Sequence, residues 1–282
     1  MTRPVLPRRN FLIGATAIFA GASSLAAAAD SGWPFYVMDT GLVGPDVPTL
    51  ADKVALAKDL GFTGIEYTLA RGMIAELLRR VDAAGLELTG VYTTPSIDSP
   101  LDPQIIETIR LLKGRPTRIE MAFSSKKFKQ SDPAGDTGAI ALLQQASDAC
   151  ADTGPVISVY PHTGSWAERV EDGVRLASKL NRKNVGTNFN LVHWKWVPQI
   201  RPLEPALREA LPHLMLVTIN GLADRAIVPL DQGDYDLAAM LATLKKVGYT
   251  GRVGLQGYGI KGASREHLSA SIKRWRQLVG NL

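Results

Sequence analysis

Residues 50–68 read LADKVALAKDLGFTGIEYT and contain one complete helix-to-strand unit. In the first part, apolar residues recur three and four positions apart, which is the spacing of an amphipathic helix packed on one face. Gly61 follows, and glycine readily adopts the left-handed conformation that ends many helices. The run from Thr63 is rich in β-branched and aromatic residues, which predicts a strand.

The same alternation recurs along the chain. Helical windows include MIAELLRRVDAAG from Met73 and LAAMLATLKKVGY from Leu237, and Gly248 closes the second. Eight short apolar runs are predicted as strands, and they begin at Trp33, Thr63, Leu86, Thr117, Pro155, Val185, Leu214 and Gly251. Strands and helices alternating eight times over about 250 residues are typical of a (β/α)₈ TIM barrel. A doubly wound open sheet is the alternative, but the first strand is not followed by Gly-x-Gly-x-x-Gly and the chain has no P-loop.

The first residues have the features of an export signal. A basic stretch ends in Arg8-Arg9, a modestly apolar run covers residues 11–25, and small residues precede Asp30 as a cleavage site. The string RRNFL resembles the twin-arginine motif, so residues 1–29 are predicted to be a twin-arginine signal peptide. An uncleaved membrane anchor is the alternative, although the apolar run is shorter than the roughly 20 residues that span a bilayer.

Cleavage there would leave residues 30–282 as a single barrel domain, carried to the periplasm by the twin-arginine export machinery without a permanent membrane anchor. Hydrophobic residues are 45% of the chain and charged residues 21%, which is typical of a globular protein. Three of the positive charges that give the net charge of +5 belong to the signal segment, at Arg3, Arg8 and Arg9. The sequence has no basic stripe interleaved with aromatic residues. A nucleic-acid partner is therefore not expected. Cys150, the single cysteine, has no partner for an intrachain disulfide, and its helical pattern predicts a core position.

Polar side chains cluster at the predicted carboxyl ends of the strands, where barrel enzymes build their sites. The group comprises Asp39, Glu66, Tyr92, Thr93, Glu120, Tyr160, His162, Asn188, Asn190, His193, Thr218, Asn220, Gln256 and Tyr258. Because side chains alternate along a strand, Asn188 and Asn190 share one face, and so do Tyr160 and His162. Amides, hydroxyls, imidazoles and aromatic rings together suit a small-molecule carbohydrate, which needs many directional hydrogen bonds.

Four other residues are expected outside the site. His213 and His267 lie in or beside helical segments and are predicted at the surface. Trp194 and Trp196 are predicted to pack within a loop, with stacking on a sugar as the alternative.

Three segments resemble the sugar phosphate isomerase/epimerase family of xylose isomerase-like barrels: residues 59–68, 185–193 and 229–259. The resemblance covers essentially the whole mature chain, and residues 233–251 are its most specific part. It implies a TIM barrel that binds one divalent metal ion (Mn, Zn, Co or Mg) through Glu, Asp, His and Glu on the last four strands. The metal polarises a sugar carbonyl and the neighbouring hydroxyl for isomerisation or epimerisation.

Carried over position by position, the resemblance places those four ligand positions at Tyr160, Asn190, Thr218 and Gln256. None is charged at neutral pH, whereas hard divalent cations bind oxygen sites chiefly through carboxylate charge. His162 and His193 match histidines of the family, and the Phe-Asn-x-x-His end of the strand resembles an exported twin-arginine branch. The resemblance thus implies a sugar site without the usual metal, and no cofactor is expected. A metal held by a shifted set of His162, His193 and Glu120 is the alternative.

These observations favour a periplasmic enzyme of the sugar isomerase/epimerase type, which abstracts a proton next to a carbonyl of a sugar or keto-sugar derivative. We expect His162 to transfer the proton, with Glu120 or Glu66 as the second group. Lys195 or the amides would stabilise the enediolate. The predicted substrate-binding residues are Tyr160, Asn188, Asn190, His193, Asn220, Gln256 and Tyr258. The alternatives are a non-catalytic sugar-binding barrel and a lyase or hydrolase-type activity on keto-glycosides; no oligomeric state is predicted.

Overall fold

The computed structural model describes Met1 and residues 32–282, so residues 2–29 of the predicted signal lie outside the described residues. Ten strands follow one another along the described chain: β1 (Phe35–Met38), β2 (Gly64–Thr68), β3 (Glu87–Thr93), β4 (Arg118–Met121), β5 (Val156–Val159), β6 (Val185–Asn190), β7 (Leu214–Ile219), β8 (Gly221–Ala223), β9 (Ala226–Val228) and β10 (Arg252–Leu255). Eight of them close into a parallel barrel in the order β1-β10-β7-β6-β5-β4-β3-β2, and β8 and β9 form a separate antiparallel hairpin. The eight predicted strands are the eight barrel strands, and the TIM barrel is confirmed.

Helices follow the strands and surround the barrel. The described α-helices are α1 (Leu50–Leu60), α2 (Ile74–Ala84), α3 (Pro103–Leu111), α4 (Asp136–Cys150), α5 (Val170–Leu180), α6 (Leu191–Trp196), α7 (Leu203–Ala210), α8 (Leu237–Val247) and α9 (Ser264–Gly280). The windows predicted from Leu50, Met73 and Leu237 form α1, α2 and α8. Helix α6 is short and begins immediately where β6 ends, so the chain passes from strand to helix without a connecting loop.

The unit at residues 50–68 folds as its sequence predicts. Thr49 and Asp52 form a reciprocal capping box that satisfies backbone N–H groups at the start of α1. Gly61 ends the helix with φ 85°, a left-handed conformation that costs glycine little because it has no Cβ. Gly248 ends α8 with the same φ. These caps return the chain to the strand layer within a few residues.

Two apolar clusters hold the barrel together. The larger one fills the space between the outer helices and the strands, and it includes Cys150, which is buried as predicted. The smaller one lies inside the barrel and consists of Tyr36, Met38, Ala122, Tyr160 and Leu216. Because the inner cluster occupies the barrel axis, polar groups placed on the same inward face of the strands meet above or beside it rather than in bulk water.

Two histidines outside the barrel differ in burial. His213 is partly exposed, and its Nε2 lies 3.0 Å from the Ser178 hydroxyl oxygen. His267, which was predicted at the surface, is only 7% exposed. The surface prediction for His267 is wrong because α9 turns this side chain inward, beside Gly257 and close to Asp46. No helix of the described chain is both long and apolar enough to cross a membrane.

Gly90 of β3 is a point of close approach inside the barrel. A Cβ at this position would lie 1.8 Å from Glu120 Oε1 and 3.2 Å from Glu66 Cγ. The first distance is shorter than a real side-chain contact allows and the second is unusually tight, so the missing side chain makes the space in which the two glutamates sit. The position of Glu120 therefore depends on a glycine in the neighbouring strand.

We expect Gly90→Ala to lower the free energy of unfolding by about 1–3 kcal/mol, because overpacking displaces buried side chains. Urea denaturation followed by circular dichroism measures the change. Gly280→Ala is the matched control, since no atom lies within 4 Å of the added methyl group, and its change is expected to stay within about 0.5 kcal/mol. Equal stability of the two variants would contradict this account of Gly90.

Candidate functional site

A cleft of about 850 Å³ opens at the carboxyl-terminal mouth of the barrel. The predicted site residues that line it are Glu66, Tyr92, Tyr160, His162, His193, Gln256 and Tyr258. They come from five different strand ends, β2, β3, β5, β6 and β10, together with the residues just after them. The barrel thus gathers residues that lie far apart in sequence around one space large enough for a sugar.

Two buried carboxyl groups lie near each other, that of Glu66 in the cleft wall and that of Glu120 behind it. Glu66 is 2% exposed and Glu120 is fully buried, and one oxygen of each (Glu66 Oε2 and Glu120 Oε1) has no hydrogen-bond partner. Burial raises the pKa of Glu66 well above its ordinary value, and the carboxyls of Glu120 and Asp39 raise it further. Burial also raises the pKa of Glu120, although Arg118 and Asn188 act in the opposite direction. The pair therefore retains a proton at pH values where an exposed carboxyl is ionised.

Asn188 connects Glu120 to the strand beside it. Its Nδ2 donates to Glu120 Oε2 at 2.5 Å, and its Oδ1 accepts from the Ser158 hydroxyl at 2.5 Å. Both partners come from inward positions on β4 and β5. The amide therefore positions Glu120 from behind, and neither Asn188 nor Glu120 is part of the cleft wall.

Asn190 is the centre of a second network. Its Oδ1 accepts from the backbone N–H groups of Val192 and His193, at 3.1 and 3.3 Å, and so caps the start of α6. Its Nδ2 donates to Tyr160 Oη at 2.6 Å and to Gln256 Oε1 at 3.0 Å. Because a backbone N–H can only donate, the capping bonds determine which end of the amide is oxygen.

This network leaves two hydrogen-bond donors for the cleft. Tyr160 Oη accepts from Asn190, so its own O–H is directed elsewhere, and Gln256 Oε1 accepts from Asn190, so its NH₂ group is available. Burial raises the pKa of Tyr160 well above its ordinary value, which keeps the phenol protonated. Both residues line the cleft, so a ligand oxygen there meets neutral donors that are already oriented.

His162 and His193 face each other on the wall of the cleft, with ring centroids 3.9 Å apart. His162 Nδ1 lies 2.8 Å from the carbonyl oxygen of Thr163, which requires a proton on Nδ1 and leaves the lone pair on Nε2. Burial lowers the pKa of His162. Burial and then the neighbouring His162 lower the pKa of His193 well below its ordinary value. Both rings are thus neutral at neutral pH.

Two predicted site residues lie elsewhere. Lys195 was expected to stabilise an oxyanion, but it is exposed, its ammonium group lies 5.5 Å from the centre of the Tyr235 ring, and it does not line the cleft. The helix begins at Leu191, so helical geometry and not strand alternation directs Lys195. Asn220 was expected to bind substrate, but it is fully buried outside the cleft wall. Its Nδ2 donates to Gly221 O, where the hairpin begins.

The remaining predicted residues differ in how they meet the cleft. Asn188, Asn190 and Glu120 lie behind its wall, whereas Tyr258 is 68% exposed at its rim. Trp196 lines the cleft and also packs against the larger apolar cluster, so its stacking on a sugar stays a prediction. Trp194 packs on Phe189, with ring centroids 5.7 Å apart.

The sequence prediction missed two cationic residues of the cleft wall. Arg71 follows the end of β2 by three residues, and Lys261 lies in the loop after β10. Their position after strand ends was the signal that could have identified them, since barrel loops supply site residues.

A comparison with known protein families identifies the kind of barrel to which the chain is similar. A family model described as a xylose isomerase-like TIM barrel matches residues 54–278. No curated protein matches the sequence at a significant level.

Several solved structures share the fold at low sequence identity. A 3-keto-D-glucoside 4-epimerase from E. coli is 19% identical with a TM-score of 0.69, covering 87% of this chain and 99% of that one. An L-ribulose 3-epimerase is 13% identical with a TM-score of 0.73, covering 88% and 95%. A xylose isomerase-like barrel protein from Mycobacterium smegmatis, in complex with magnesium, is 17% identical with a TM-score of 0.67, covering 88% and 97%. At these identities the likeness establishes the fold.

The side chains at the four positions that the resemblance assigns to metal ligands do not fit a divalent cation. Asn190 Oδ1 already caps α6, and the oxygens of Tyr160 and Gln256 already accept from Asn190. Thr218, the fourth position, is 2% exposed and also neutral. Among the described residues, no three His, Cys, Asp or Glu side chains are grouped so that they could hold a metal ion, which includes the shifted set of His162, His193 and Glu120. The donors are neutral and largely engaged with one another, whereas Mg²⁺ and similar ions require carboxylate charge.

We expect protein purified from its native host without chelator to contain far less than one equivalent of Mn, Zn, Co or Mg, measured by plasma mass spectrometry. The double variant Asn190→Asp, Gln256→Glu is the matched comparison, because it returns two carboxylates to these positions. Its Mn²⁺ affinity in calorimetry should exceed that of the wild type by at least about tenfold, since charge dominates binding of hard cations. A stoichiometric metal in the wild type, lost together with activity on chelation, would show that this account of the ligand positions is wrong.

Proposed function

The chain belongs to the xylose isomerase-like TIM barrel family, and from this premise we propose that it is an enzyme of the sugar isomerase or epimerase type. The structural neighbours include sugar epimerases, which supports this reaction class. The proposed reaction removes a proton from a carbon next to a carbonyl of a sugar or keto-sugar. It proceeds through residues of the chain and without the metal ion that is usual for the family.

The main support for this proposal is the buried carboxyl group of Glu66 in the cleft. Glu66 is the acidic residue among those that line the cleft, and its Oε2 has no hydrogen-bond partner in the described chain. Burial raises its pKa, and a base with a raised pKa accepts a proton from carbon more readily. An unpartnered buried carboxyl is destabilising by itself, so its position in a ligand-sized cleft favours a catalytic explanation.

A second proton-transferring group lies across the cleft. Glu66 is on β2 and His162 follows β5, and these strands are three positions apart around a barrel of eight. Epimerisation requires a proton to leave one face of the sugar carbon and return to the other face. A neutral imidazole with a free Nε2 on the opposite wall suits the second role, although His162 and not Glu66 was the first choice from sequence.

Stabilisation of the intermediate is assigned to Tyr160 and Gln256. Proton removal places negative charge on the carbonyl oxygen, and neutral donors that are fixed in advance stabilise such an oxyanion. The phenol O–H and the amide NH₂ are directed by Asn190, so little reorganisation is needed when the charge develops. Loss of one such donor typically lowers the rate by about 10²–10³-fold.

We expect Glu66→Gln to lower the rate of proton exchange by about 10²–10⁴-fold. The assay incubates the protein in D₂O with ketohexoses and 3-keto-glucosides, and NMR follows deuterium entering the carbon next to the carbonyl. Glu66 must be ionised to act as base and its pKa is raised. The wild-type rate should therefore rise with pH through a limb above the ordinary glutamate pKa of about 4.3, and this limb should be missing in the variant.

Glu76→Gln is the matched control, because Glu76 lies on α2, pairs with Arg80 and is outside the cleft. It should retain the wild-type rate. His162→Ala is expected to abolish product formation while circular dichroism shows an intact fold. If the wild-type protein binds these sugars but exchanges no proton at any pH, the non-catalytic sugar-binding barrel is the correct function.

The proposed enzyme works in the periplasm after export by the twin-arginine machinery. The RRNFL string and the small residues before Asp30 support this location. We expect the double substitution Arg8→Lys, Arg9→Lys to block export, because the arginine pair is what the machinery recognises. Cell fractionation and immunoblotting of the tagged protein measure it. Substitution of Arg3 by Lys is the control, and normal export of the doubly substituted precursor would refute the assignment.

A further inference from the structure

Arg71 is held rigidly at the cleft. Its Nε donates to Asp39 Oδ2 at 2.6 Å, and Asp39 is 2% exposed. Asp39 also accepts from the backbone N–H and the hydroxyl of Thr68, at 3.0 and 2.9 Å. Neither Nη group of Arg71 has a partner in the described chain, so both remain available on the cleft wall. Such a fixed, planar pair of donors matches a carboxylate.

Lys261 adds a second positive charge to the same wall. It lies in the loop between β10 and α9, is exposed, and forms no ion pair with any described residue. The loops that carry Arg71 and Lys261 follow β2 and β10, which are the two neighbours of β1 in the barrel. Both cations therefore lie on one side of the mouth.

Asp39 pairs with the Nε side of Arg71, but no described carboxylate pairs with Lys261 on the cleft wall. Glu66 is the acidic residue that lines it, and its raised pKa favours the neutral form. Asp39 and Asp46 lie outside the lining, where Asp46 accepts from the backbone N–H groups of Ser264 and Arg265. The two histidines are neutral and follow β5 and β6, on the other side of the barrel from β1. The cleft thus has the free guanidinium edge of Arg71 and the uncompensated charge of Lys261 at one end, and neutral rings at the other.

From this arrangement, and resting on the proposed function for the presence of a sugar, we infer that the substrate is a sugar acid whose carboxylate is bound by Arg71 and Lys261. A neutral sugar would leave the Nη edge of Arg71 without a charged acceptor and Lys261 without an ion pair, whereas a carboxylate pairs with the free edge of the guanidinium. The rest of the sugar then extends toward Tyr160, Gln256 and His162, where the proposed proton transfer takes place. Arg71 and Lys261 become the residues that select the substrate class.

Calorimetry with two matched pairs of ligands tests this inference. 2-Keto-D-gluconate is compared with D-fructose, and D-glucuronate with D-glucose; within each pair a carboxylate replaces a CH₂OH group. We expect at least one acid to bind about tenfold or more tightly than its neutral partner, since a hydrogen bond to a charged group contributes about 1.5–3 kcal/mol. Raising the salt from 50 to 500 mM should weaken the acid and leave the neutral sugar unchanged.

Arg71→Met should remove most of this preference, lowering the affinity for the acid about tenfold. Lys261→Met should lower it by about two- to fivefold, as for an exposed ion pair, and it is the variant that leaves the Asp39 contacts intact. Arg79→Met, which removes a positive charge from the exposed side of α2, is the matched control and should change neither ligand.

The inference is overturned if the acid and the neutral sugar bind equally, or if neither acid binds measurably. It is also overturned if Lys261→Met and a folded Arg71→Met both keep the wild-type preference for the acid. Binding is measured without turnover, so the result is separate from the proposed reaction. If the acids bind preferentially and no proton exchange occurs, the inference holds and the proposed enzymatic function fails. If proton exchange occurs on neutral ketoses and acids are not preferred, the proposed enzymatic function holds and the inference about sugar acids fails.

Discussion

The carboxamide of Asn190 determines the arrangement of one whole side of the site. Its oxygen starts α6, and its nitrogen orients the phenol of Tyr160 and the amide of Gln256 from two other strands. Because all four bonds come from one planar group, the helix start and the two cleft donors cannot be moved independently. A buried polar network of this kind is stable only when each member is satisfied, and here the vacant hydrogen-bonding capacity is directed at the ligand space. His193 depends on the same cap, since its backbone N–H is one of the bonds that Asn190 accepts.

The two glutamates near the cleft depend on burial and not on the Asn190 network. Glu66 and Glu120 are brought into the barrel interior by the small volume of Gly90, and each retains an oxygen without a partner. Ionisation of a buried carboxyl is unfavourable in a low-dielectric environment, so these groups keep their protons at pH values where exposed glutamates are ionised. The neutral donors above and the proton-retaining acids below form a site that can move protons and accommodate negative charge with the groups of the chain itself.

Much of the fold could be predicted from the sequence because local signals agree with the global one. Strand runs, helical spacing and the glycines at positions 61 and 248 all predict the same eight-unit alternation. The cleft was only partly predictable. Alternation along β5 and β6 identified Tyr160, His162 and Asn190, but which polar group faces the ligand and which lies behind it depends on hydrogen bonds between strands far apart in sequence. Lys195 was misplaced because the change from strand to helix at Leu191 alters the direction of every following side chain.

The hairpin β8–β9 has a consequence for how such a barrel can diversify. It forms its own two-stranded sheet directly after β7, outside the ladder that closes the barrel, yet Ile227 at its centre lines the cleft. Residues in the hairpin can therefore be exchanged, inserted or deleted without changing the register of any barrel strand. The barrel ladder determines the strand register, whereas the hairpin adds Leu222 and Ile227 to the larger apolar cluster and places Ile227 in the cleft wall. Related barrels that have diverged in ligand choice are thus expected to differ in this segment while their barrel strands superpose.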